Sequence, residues 1–208
     1  MSFLNYAPLL LVFVAGAVGA ARFGRLDPAL RCLAGLIFFE IFVELLSRAV
    51  TPNLFVLPAD TMVEFGALAW MYRRAFWPSA LSRWLPAVVA VFAAASLVSY
   101  AEPARLLQFN TVQRFAESLL VLGLVLRYFY TVIRELAIEH LEREPLFWVS
   151  VGLLLYFSGN VFIFISSNYV IQHSKTLSLR LWDVHALLYM VLNGLYAVAL
   201  WISPSTRK

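Results

Sequence analysis

The chain has little of what redox proteins and water-soluble enzymes are built from. Among its 208 residues there is one cysteine, Cys32, which excludes an intramolecular disulfide and any CxxC metal or redox motif. Histidine occurs three times, at His140, His173 and His185, too few for a multi-histidine zinc centre. The two lysines, Lys175 and Lys208, both fall in polar segments. No intramembrane amine is therefore present to form a Schiff base, and no retinal is expected. Charged residues make up 13%, about half the usual share for a soluble domain. No basic run exceeds two residues (Arg73-Arg74 and Arg207-Lys208), so the formal charge of +4 does not describe a nucleic-acid binder. Walker, GxGxxG and HExxH motifs are missing as well.

What is abundant is apolar surface. The chain is 62% hydrophobic, with a mean hydropathy of +0.80, more than a globule of this length can bury. The bilayer must be its main solvent. A membrane-crossing helix needs roughly 20 apolar residues, and breaks at proline, glycine and charged residues divide the chain into seven such stretches. These are 5–21, 29–47, 58–76, 82–99, 109–138, 146–170 and 181–202. The fold class expected is an all-α membrane protein, one seven-transmembrane helix bundle over residues 1–208. Orientation follows from Lys/Arg placement in short loops. Arg22, Arg25, Arg31, Arg73, Arg74, Arg83, Arg134, Arg143, Arg207 and Lys208 fall on one side, against Arg48, Arg105, Lys175 and Arg180 on the other. This places the N-terminus outside and the C-terminus inside.

Ionisable groups in hydrocarbon cost at least ~2.5–3.5 kcal/mol each on insertion scales, so their positions carry information. The second stretch holds Glu40, Glu44 and Arg48, spaced four apart on one helical face. The third opens with Pro58, Asp60 and Glu64; the fifth begins with Asn110, Gln113, Arg114 and Glu117. The sixth carries Tyr156, Ser158 and Asn160, and the seventh carries Asp183, His185, Tyr189 and Asn193. With a rise of about 1.5 Å per residue, these groups fall in the outer half of the bundle. Five helices placing polar groups at one level must point them inward.

Two readings stay open. The polar layer could be a network that fixes helix register, or a ligand site open to the periplasm. On the second, Glu44, Glu64, Arg114, Glu117, Asn160, His185 and Tyr189 are the candidate ligand-binding residues. Carboxylates outnumber arginines there, so some must be protonated or meet a cation. A divalent metal held by Glu44, Glu64, Glu117 and His185 is an alternative, since oxygen and imidazole ligands suit several transition metals. That would make the protein a metal-dependent membrane enzyme, although no catalytic residue is singled out. A third reading is a proton- or cation-coupled transporter of small solutes. Gly152 and Gly159, seven apart, are expected to let a neighbouring helix approach closely.

The segments 145–169 (PLFWVSVGLLLYFSGNVFIFISSNY) and 181–201 (LWDVHALLYMVLNGLYAVALW) resemble a family of small seven-helix bacterial membrane proteins of the Bacteroidetes type. The blocks 53–64 and 109–117 look like other recurrent parts of that family. The resemblance implies a multi-pass protein of the bacterial inner membrane, working near sensor histidine kinases and response regulators. It brings no activity with it. The expected function is a receptor-like module that binds a small ligand or cation and signals to a membrane or kinase partner. The polar segment from Arg134 to Glu144 (RELAIEHLERE), interrupted by Leu136, Ile138 and Leu141, is the expected docking surface.

Overall fold

The computed structural model describes residues 6–51, 53–101, 111–135, 140–173 and 175–204. These form seven α-helices with no strand among the described residues: α1 (Ala7–Arg22), α2 (Pro28–Ala49), α3 (Leu57–Ala75), α4 (Ala80–Ala101), α5 (Thr111–Glu135), α6 (Pro145–His173) and α7 (Lys175–Ile202). Short 3₁₀ turns lie at Phe23–Arg25, Leu54–Val56 and Leu141–Arg143. An all-helical chain suits a bilayer, because intrasegment hydrogen bonds satisfy a lipid-exposed backbone.

Six of the helices are long and apolar enough to cross a membrane. α2 is the exception. It has 22 residues, a sufficient length, but Arg31, Glu40, Glu44 and Arg48 interrupt its apolar surface. Its start is well defined: Asp27 Oδ1 accepts from the backbone N–H groups of Ala29 and Leu30 at 2.7 and 2.9 Å, and Pro28 occupies the first helical position. Both are standard helix-initiating chemistry.

Two boundaries differ from expectation. α7 begins at Lys175 rather than near residue 181, because the polar first turn continues the helix beyond its apolar part. α4 begins at Ala80, which puts Pro86 inside the helix rather than in its first turn. Pro86 has no N–H to offer the Ser82 carbonyl one turn back. Arg73 supplies the donor from α3, its Nε lying 3.1 Å from that oxygen.

The packing order explains how a polar layer can sit inside. α1 contacts α2 and α7, α2 contacts α3, α3 contacts α5, α5 contacts α6, and α6 contacts α7. Six helices thereby close a ring, while α4 packs on the outside against α3. Small residues tighten the ring where it closes. A Cβ built on Gly19 of α1 would lie 3.3 Å from the Ala34 Cβ of α2 and 3.5 Å from Leu200 of α7. Gly152 and Gly159 admit the leucines of α7, as their spacing predicts: a Cβ built on them would lie 3.2 Å from Leu192 and 2.6 Å from Leu188 respectively. Arg22 ties the same seam, donating to the Ser203 carbonyl at 2.5 Å. Below the polar layer the ring is filled by Leu33, Ile37, Phe65, Leu68, Tyr72, Val121, Val125, Leu153, Phe157 and Leu200, all essentially inaccessible.

Candidate functional site

At the end of the bundle where α3 and α5 begin, one guanidinium is surrounded by carboxylates. Asp60 and Glu64 stand one turn apart on α3, so both side chains lie on the same face. Arg114 and Glu117 are three apart on α5, close enough to touch. Arg114 Nη1 donates to Glu64 Oε2 at 2.8 Å and to Glu117 Oε2 at 3.1 Å, and its Nη2 donates to Asp60 Oδ2. Every member is buried: Asp60 is 5% exposed, Glu64 and Arg114 7%, and Glu117 0%. Gln113 sets the axial position of α5, its Nε2 donating to the Pro58 carbonyl at 3.0 Å and to Ser96 Oγ of α4 at 2.7 Å.

The guanidinium does not saturate these carboxylates. Asp60 Oδ1 and Glu117 Oε1 are buried with no hydrogen-bond partner, and so is Oε1 of Glu40 on α2. One ligand oxygen from each of Glu40, Asp60 and Glu64 lies within 4.8 Å of the others. Two oxygens each about 2.4 Å from a shared cation lie at most about 4.8 Å apart, so this spread is compatible with one ion. Four carboxyl groups around one arginine would carry a formal charge of −3 if all were ionised. Desolvating that charge is prohibitive without compensation, so the cluster must take up protons or another cation. An all-oxygen donor set suits hard cations such as Mg²⁺, Ca²⁺ or Mn²⁺ rather than zinc.

The residues expected from sequence divide into three groups. Glu64, Arg114 and Glu117 come together as expected. Asn160, His185 and Tyr189 assemble beside α6 and α7 as a separate unit. Asn160 Nδ2 donates to the Tyr156 carbonyl at 2.8 Å, which turns its Oδ1 toward His185 Nδ1, also at 2.8 Å. That nitrogen therefore carries the hydrogen, leaving Nε2 as the imidazole's lone-pair atom. Four aromatic rings surround the imidazole: Trp182, Tyr156, Phe164 and Tyr189, with centroids 5.4, 5.7, 6.0 and 6.5 Å away.

Glu44 is placed elsewhere. It pairs with Arg48 at 2.6 Å, with about a third of its side chain exposed. The set Glu44, Glu64, Glu117 and His185 is thus not the one whose ligand atoms converge; Glu40, Asp60 and Glu64 are. The sequence put Glu40 and Asp60 in the polar layer, but the ligand and metal sets read from it left both out. The signal for both was present, since Asp60 is one turn from Glu64 and Glu40 one turn from Glu44, but spacing alone does not choose between adjacent turns.

Of the docking segment, residues 136–139 lie outside the described residues. Its remainder comprises the end of α5 and the 3₁₀ turn Leu141–Arg143, where Trp148 Nε1 donates to the Glu142 carbonyl at 2.9 Å.

No family model, curated protein or solved structure matches this chain. The site's chemistry must carry the functional reading.

Proposed function

We propose that the protein is a receptor-like membrane module that responds to a cation taken up in the carboxylate cluster of α2, α3 and α5. In this reading all seven helices span a bacterial inner membrane, with the N-terminus outside. α2 crosses because Glu40 is turned into the ring and Arg48 neutralises Glu44 near the rim. The cluster then lies in the periplasmic half, and the signal leaves through α5 and the segment after it toward a membrane or kinase partner. The resemblance to proteins encoded near sensor kinases supports that choice of partner.

One observation carries the reading. Three buried carboxylate oxygens, on Glu40, Asp60 and Glu117, have no partner beside a single guanidinium. A network built only to hold helix register gains nothing from leaving acceptors unsatisfied, because each costs about 1–3 kcal/mol. A metal-dependent enzyme built on His185 has less support, since among the described residues the ligand atoms that converge belong to Glu40, Asp60 and Glu64 and not to His185. A cation-coupled transporter would use the same cluster, and cation-dependent flux in liposomes that is lost in Glu40→Gln distinguishes it.

The test is titration of Mn²⁺ into the purified full chain, following free Mn²⁺ by electron paramagnetic resonance, with Mg²⁺ and Ca²⁺ as competitors. Saturable binding that disappears in Asp60→Asn and in Glu64→Gln is expected. Absence of saturable binding to the parent, together with a large loss of thermal stability in both variants, would establish a register-fixing network and end the proposal.

A further inference from the structure

The opposite end of the bundle carries a second polar arrangement, independent of the carboxylate cluster. A cavity of about 440 Å³ opens between the starts of α2 and α6 and the end of α3; its wall includes Asp27, Arg74, Tyr128, Glu144 and Pro145. Tyr128 is 6% exposed, and its hydroxyl is buried with no hydrogen-bond partner. A buried phenol lacking a partner at a cavity wall points to an occupant that supplies one. The carboxyl of Glu144 is held above its usual range, chiefly by burial; the Leu146 N–H opposes this and the charge of Asp27 adds to it. Two neighbouring acids favour a cation between them.

Arg74 also borders a neighbouring cavity of about 320 Å³, lined by Trp70, Arg73, Arg74 and Trp77. The guanidinium carbons of Arg73 and Arg74 lie 5.3 and 5.5 Å from the Trp70 ring. Neither arginine has a carboxylate partner among the described residues. Adjacent guanidiniums without a counter-ion favour a phosphate. Trp70 and Trp77 are 45% and 66% exposed, as tryptophans at headgroup level usually are.

We propose that these adjoining cavities form a binding site for an aminophospholipid headgroup, with the phosphate on Arg73 and Arg74 and the primary ammonium among Asp27, Glu144 and the Tyr128 hydroxyl. A quaternary ammonium has no N–H to give the three oxygens. A glycerol headgroup has no charge to neutralise the acids. The two polar walls therefore select phosphatidylethanolamine over phosphatidylcholine and phosphatidylglycerol. Basic pockets at helix ends are a known mode of headgroup recognition; here an acidic wall adds selectivity for the amine.

The test is native mass spectrometry of the delipidated full chain mixed with each of the three lipids. Preferential retention of phosphatidylethanolamine is expected, falling about tenfold in Glu144→Gln, the effect of losing one charge-assisted hydrogen bond. Glutamine keeps an acceptor for the Leu146 N–H, and Tyr128→Phe removes a single oxygen and should also weaken retention, so a folded variant is secured. Arg73→Gln with Arg74→Gln should weaken both phosphatidylethanolamine and phosphatidylglycerol. Equal retention of all three lipids overturns the proposal, as does full retention in both Glu144→Gln and Tyr128→Phe. Binding of soluble glycerophosphoethanolamine without retention of the lipid overturns the assignment to a membrane component.

Discussion

Removing Arg114 should unfold this protein more readily than removing any other single charge. Its guanidinium serves Asp60, Glu64 and Glu117 at once, and all four side chains are out of water. Charge-assisted hydrogen bonds contribute about 1.5–3 kcal/mol each, but three on one arginine form a unit and cannot be summed. The relevant quantity is the penalty for stranding buried charge, about 3–5 kcal/mol when one partner of a buried pair is deleted. For a domain of this length that corresponds to a melting shift of roughly 6–20 °C. Arg48→Gln provides the internal scale: its partner Glu44 is a third exposed, and surface pairs are worth ~0.2–1 kcal/mol. Cys32, the sole thiol, is half-buried with its Sγ 3.5 Å from the Ala67 carbonyl. It can report unfolding in detergent through a thiol-reactive fluorophore. Arg114→Gln should melt far below the parent, and adding Asp60→Asn with Glu64→Gln should recover most of the loss by removing the stranded carboxylates. If Arg114→Gln and Arg48→Gln melt within a degree or two of each other (about 1 kcal/mol or less), the cluster is not a charge-coupled unit.

Other consequences can be measured in the same assay. The raised Glu144 carboxyl makes the folded state favour the proton, so its stabilisation is complete below the ordinary value of 4.5 and is lost as pH rises through the elevated one. Glu144→Gln should flatten the fall in melting temperature from about pH 4.5 upward, and an unchanged slope would show that burial there does not matter. At the ring seam, Gly19→Val must displace Ala34, whose Cβ cannot rotate away, at a cost of about 1–3 kcal/mol. Gly35→Ala meets nothing within 4 Å and should stabilise α2 by about 0.5–1 kcal/mol. Equal responses at the two glycines would contradict the close approach of α1, α2 and α7.

Helicity, the approximate course of the seven helices and the exclusion of Glu64, Arg114 and Glu117 from lipid were legible in the residues alone. These conclusions rest on properties repeated along one helix: apolar length, the four-residue recurrence of side chains, and the cost of charge in hydrocarbon. The seam at Gly152 and Gly159 was legible for the same reason, because seven residues return to one face. The packing of the helices was needed to show that Glu40 rather than Glu44 points into the ring, that Asp60 completes the cluster, and that His185 belongs with Asn160 and its aromatic neighbours. It alone closed six helices on one another and left α4 outside, with Arg73 reaching across to the carbonyl that Pro86 leaves without a donor. Periodicity specifies which residues share a face. It says nothing of how far one helix slides or turns against the next, and a shift of a single turn, about 5.4 Å, exchanges Glu44 for Glu40.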